Sequence, residues 1–136
     1  CAVRMSTFTV ASTIRQYPKA PYEHIKTAVI GKRYAITLVF VGPDRARTLN
    51  QQTRDKDYVP NVLSLPLTDA QGEIYLCPTA IAREAAAFGR TLKTQCMFLF
   101  IHGLLHLKGY DHGATMDRLE RRYCEQFGCA PRATFR

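Results

Sequence analysis

Apolar positions recur along the chain with two different periods, and the period changes near its middle. Residues 3–10 and 33–41 are rich in β-branched and aromatic side chains, which predicts strands. Between them, apolar residues at 22, 25, 28 and 29 recur with helical spacing and stop at Gly31. That spacing predicts a helix over 22–30. A short helix over 44–52 is expected after the Gly42-Pro43 break. Residues 62–67 and 73–76 read as strands, and the segment 68–72 is short enough to join them as an antiparallel hairpin. From there the pattern is helical. Pro78 suits the first position of a helix that Gly89 closes after Phe88. The next helix runs through Met97, Leu99, Phe100 and Leu104 and is apolar nearly all round, so it belongs at the centre. A last helix over 115–127 ends at Gly128 and presents Arg118, Arg121 and Arg122 as a basic exposed face. Strands early and helices late predict an α+β fold, a small mixed sheet packed with about five helices.

Composition fits that picture. With 136 residues and 46% hydrophobic content, residues 1–136 are expected to form one domain around a proper core. No apolar run is long enough to cross a bilayer, and no secretory signal is expected, although the chain begins at Cys1. The five cysteines (Cys1, Cys77, Cys96, Cys124 and Cys129) are odd in number and lack paired ligand spacing. Free thiols in a reducing cytoplasm are the expectation. A net charge of +8 points toward a polyanionic partner such as nucleic acid.

The candidate chemistry is concentrated late in the chain. Three of its four histidines, His102, His106 and His112, fall close together. On a helix turning about 100° per residue, the first two lie roughly 40° apart on one face. A continued helix would carry the third roughly 240° round from the second, so the helix must stop first. Gly109 can stop it in a left-handed conformation, and Lys108 suits the negative end of the helix dipole. Three imidazoles meeting at one point would hold a metal with a position left open. Zinc is the expected ion, although iron, nickel and manganese accept the same ligands. Gly103 stands where a His-Glu-x-x-His metallopeptidase carries its general base, so peptidase chemistry is not expected. Asp111 could orient a ligand or water, or simply stabilise the turn. His24 lies in the early helix, apart from this constellation.

A second unusual stretch precedes the third strand. Residues 50–66 run from a charged loop into an apolar strand. Arg54 and Lys56 there could grip phosphate, and a solvated charge run with Arg54 and Asp57 paired locally is the plainer alternative.

The segment from His102 to His112, His-Gly-Leu-Leu-His-Leu-Lys-Gly-Tyr-Asp-His, closely resembles the signature of the YbeY family of bacterial metal-dependent endoribonucleases. Asn50, Arg54, Lys56, Asp57, the run Asn61-Val62-Leu63-Ser64 and Pro66 resemble that family's second motif, and Gly72-Glu73-Ile74 its Gly-Asp-Ile strand. Val59-Pro60 replaces the usual Pro-Thr, and Leu65 the usual phenylalanine. The resemblance implies a metallo-hydrolase domain with one Zn2+ on His102, His106 and His112 and a functional arginine at Arg54. It also implies cleavage of single-stranded RNA in 3′-end maturation of small-subunit ribosomal RNA and in ribosome quality control. Either water or the RNA 2′-hydroxyl could be the nucleophile. The alternative is a ribosome-assembly binding factor whose metal is structural, its fourth position closed by Cys77 or Asp111.

Overall fold

The computed structural model describes residues 7–111 and 113–129. Expectations that fall on Cys1, the start of the first strand and His112 therefore lie outside the described residues. The elements follow in the order β1 (Phe8–Ser12), α1 (Tyr22–Ile30), β2 (Ala35–Phe40), α2 (Pro43–Arg54), β3 (Val62–Thr68), β4 (Gln71–Leu76), α3 (Pro78–Ala87), α4 (Leu92–Leu107) and α5 (Ala114–Phe127). The four strands form one sheet in the order β1-β2-β4-β3. β2 pairs in parallel with both β1 and β4, and the β3–β4 hairpin is antiparallel, so the sheet is mixed. This is the α+β single domain that the periodicities predict.

Strand alternation decides what the sheet covers. Ile36, Leu38 and Phe40 of β2 are buried and stand in register with Gly72, Ile74 and Leu76 of β4. One face of the sheet thus meets α1 and α4. Helix α4 buries Met97, Phe100, Ile101, Leu104 and Leu105 there. Each fully buried side chain of this size contributes about 1.5–3 kcal/mol. Phe100 meets Tyr22 edge-on at 5.5 Å, a favoured geometry for aromatic quadrupoles. On the other face, Val39 and Tyr75 pack against Val41, Cys77 and Ala46 of α2 in a smaller cluster. Cys77, Cys96, Cys124 and Cys129 are free and buried. No described helix is long and apolar enough to cross a membrane.

Several boundaries differ from the periodic reading. β1 runs on to Ser12, where pairing with β2 carries polar residues that the apolar pattern passes over. The hairpin is tighter than expected, because β3 continues to Thr68 through a bulge after Pro66 and leaves only Asp69 and Ala70 as the turn. α2 takes Pro43 as its first residue and extends to Arg54. It stops because Asp55 adopts a left-handed conformation at φ 55°, and the Asp55 and Lys56 N–H groups return to the carbonyls of Gln51 and Asn50.

Candidate functional site

The sequence ends α4 in a way that fixes the imidazole of His106. Lys108 is the last αR residue, and Gly109 follows at φ 109°, a conformation that excludes most side chains. Gly109 N–H donates to the His106 carbonyl and Tyr110 N–H to the Leu105 carbonyl, both at 3.0 Å. This double closure turns the Tyr110 carbonyl back under the helix, where it accepts from His106 Nδ1 at 3.1 Å. His102, one turn earlier, is held differently. Its Nδ1 donates to the carboxylate of Glu120, which α5 presents from the buried side.

These two contacts set the chemistry. A carbonyl and a carboxylate can only accept, so each ring in its neutral form carries the proton on Nδ1 and the lone pair on Nε2. The two Nε2 atoms converge to 3.0 Å, with the rings nearly perpendicular at 85°. Two lone pairs aimed at one another favour a cation between them. A tetrahedral zinc with bonds of about 2.0–2.1 Å spaces its nitrogen ligands about 3.3 Å apart, only a few tenths of an ångström wider. The donor set therefore fits such an ion. The described residues contain no cluster of three His, Cys, Asp or Glu that could hold one. The expected third ligand, His112, lies outside them.

His102 and His106 line a cleft of about 840 Å3 whose other walls include Arg54, Asn61, Ser64 and Arg83. The cleft thus joins the two sequence motifs. Arg54 enters as the last residue of α2 and is exposed. The local pairing of Arg54 with Asp57 is not what forms. Asp57 instead accepts from Arg47 Nε at 2.7 Å and from Gln51 Nε2 at 2.8 Å. Its hydrogen bond to Arg47 holds the Asp57 carboxyl below the usual carboxylate range. Among the described residues nothing pairs with the Arg54 guanidinium. Lys56 is exposed and does not line the cleft.

Gly103 has a steric reason for being glycine. A Cβ there would stand 2.7 Å from Ser64 Oγ and 3.3 Å from Ile74 Cδ1. The helix crosses the sheet closely at this point, so a glutamate beside His102 would have to displace Ser64 and press on Ile74. Cys77 is buried in the back-face cluster and Asp111 is exposed. His24 lies at a separate, smaller cavity beside Tyr17 and Lys19.

Three features escape motif reading. Glu120 could have been found, because Met116, Glu120 and Cys124 form the buried stripe of α5 at helical spacing, and a carboxylate in such a stripe needs a partner. Arg83 gives no local signal, since it is one exposed residue on an ordinary helix. The third is a brace behind the cleft. Asn61 donates to Glu84 at 2.8 Å, and Glu84 also accepts from Gln95 of α4.

Fold and site together define an α+β protein with paired, back-braced imidazoles at the foot of an arginine-lined cleft. Comparison with known proteins makes the assignment narrower. The family described as endoribonuclease YbeY matches residues 3–128, and the chain belongs to that family. The chain is 38% identical over 116 residues to the endoribonuclease YbeY of Thermotoga maritima, spanning 79% of this chain and 77% of that protein. It is 39% identical over 94 residues to the enzyme of the same name from Thiobacillus denitrificans, spanning 64% of each. Its fold is similar to the solution structure of a Thermotoga maritima protein, with a TM-score of 0.63, 28% identity and 88% of each chain covered.

Proposed function

We propose that this chain is a metal-dependent endoribonuclease that cuts single-stranded RNA. Its expected substrate is small-subunit ribosomal RNA near the 3′ end, in ribosome maturation and quality control, which implies a cytoplasmic location. Family membership supports ribonuclease chemistry. The observation that carries the metal reading is the convergence of His102 and His106 Nε2 at 3.0 Å, in the same cleft as Arg54.

Zinc held by His102, His106 and, on the family resemblance, His112 would supply Lewis-acid polarisation of a phosphoryl oxygen. The remaining work falls to side chains of this protein. Glu120 and the Tyr110 carbonyl keep both imidazoles in the tautomer that ligates. Arg54 offers two parallel donors to phosphoryl oxygens as negative charge grows on them. The rival reading, an assembly factor with a structural metal, needs a side chain to close the fourth position. Cys77 is committed to the back-face cluster and Asp111 is exposed, so neither favours it.

The test is cleavage of one RNA sequence, presented single-stranded and as a duplex, by wild type, His106→Ala and Arg54→Ala, with chelator controls. Arg54→Ala should lower kcat about 100-fold, as removal of one charge-stabilising donor does elsewhere, with zinc content unchanged. His106→Ala should lose both metal and activity. Cleavage that survives both substitutions would sink the proposal.

A further inference from the structure

Phosphate and metal chemistry leave one side chain of the cleft unexplained. Tyr58 lines the cleft and is 50% exposed, and Val59 beside it is 38% exposed. Among the described residues the Tyr58 ring makes no aromatic or cation contact. The ring thus stands open on the cleft wall, where its π-face is available to a planar ligand.

The backbone that presents this ring is clamped on both sides. Before it, Asp57 is tied to Arg47 and Gln51 of α2 at 2.7 and 2.8 Å. At Tyr58 itself, the carbonyl accepts from the buried Asn50 side chain at 3.2 Å. After it, Pro60 is buried, and Asn61 is tied to Glu84 of α3 at 2.8 Å. Two helices therefore hold the loop while the ring stays open. Little further ordering is needed when a planar ligand arrives.

We propose that Tyr58 is a stacking platform for one unpaired nucleobase of the RNA strand whose phosphates lie against Arg54 and Arg83. The proposal rests on the RNA reading and deepens it. Arginines alone would suit any phosphate. Arginines beside an open aromatic suit a strand with both phosphates and bare base faces. A duplex has both faces of each base covered, so the platform favours single strands, and it tolerates any base because every base has a π-face.

The experiment uses the zinc-loaded protein and a 2′-O-methyl RNA strand whose intactness is checked on a gel after each titration, with each nucleotide made abasic in turn and binding read by anisotropy. In wild type, one abasic position should weaken binding about tenfold. Tyr58→Ala should bind the intact strand about tenfold more weakly and lose its sensitivity at that same position. Tyr58→Phe should behave as wild type, and zinc content should be unchanged in both variants. Wild-type affinity in Tyr58→Ala, or an abasic penalty that persists in it, would overturn the platform and leave the RNA reading standing. A wild type that binds no single-stranded RNA would overturn both.

Discussion

Glu120 and Asn50 show what single buried polar side chains do here. Glu120 is 7% exposed and lies inside an otherwise apolar stripe of α5, an arrangement that is costly without a partner. His102 Nδ1 is that partner, so burial of the carboxylate and orientation of the imidazole are one interaction. Glu120→Gln keeps an acceptor but loses the charge. It should weaken zinc binding about tenfold, measured by calorimetric titration of the metal-free protein, because outer partners raise the basicity of a ligating imidazole. Unchanged zinc affinity would assign Glu120 to packing alone. Asn50 plays the matching part across the cleft, anchoring the segment that carries Tyr58. Among the described residues its Oδ1 is buried without a hydrogen-bond partner, while its Nδ2 holds the loop.

At the scale of elements, the decisive contact is α4 against β3 and β4. The helix approaches the sheet closely at Gly103, over Ser64 and Ile74. That approach sets how far the two histidines stand above the cleft floor formed by β3. Gly103→Ala places a methyl 2.7 Å from Ser64 Oγ, so either the Ser64 hydroxyl turns away or helix and strand move apart. Overpacking of this kind costs about 1–3 kcal/mol, readable as a lower urea midpoint. Ser64→Gly in the same chain should recover much of the loss, since the clash is between those two positions. Equal destabilisation with and without Ser64→Gly would mean that the contact is not the cause. The end of α2 is equally specific. Asp55 in its left-handed conformation stops the helix directly after Arg54 and sends the chain back along α2 toward the cleft.

Across the whole molecule, the net charge of +8 acts through where it is exposed. Arg54 and Arg83 face the cleft, and Arg118, Arg121 and Arg122 stand exposed on α5. Single-stranded RNA bound by phosphate contacts should lose affinity with salt, with a logarithmic slope of about −0.7 per contact. Arg54→Ala and Arg83→Ala should each flatten that slope by about 0.7. Arg118→Ala, on a helix that contributes nothing to the cleft lining, should leave it nearly unchanged. A slope indifferent to Arg54 and Arg83 would place the RNA on another surface.

The sequence alone determined the order and type of the elements, because period-two and helical patterns of apolar residues are local. It also determined the pairing of His102 with His106, since four residues on a helix make one face. The stop at Gly109 was equally readable, because a left-handed residue is a local requirement. Only the tertiary structure decided what those elements bring together. Arg54, Arg83, His102 and His106 share a cleft because α2, α3, α4 and β3 each contribute to its walls, and no spacing along the chain encodes that meeting. Glu120 reached His102 by the packing of α5 on α4. Gly103, legible in sequence only as a missing base, became a close crossing where an added side chain would meet Ser64 and Ile74. Long-range contacts depend on how faces pack, and packing is a property of the whole chain rather than of any window in it.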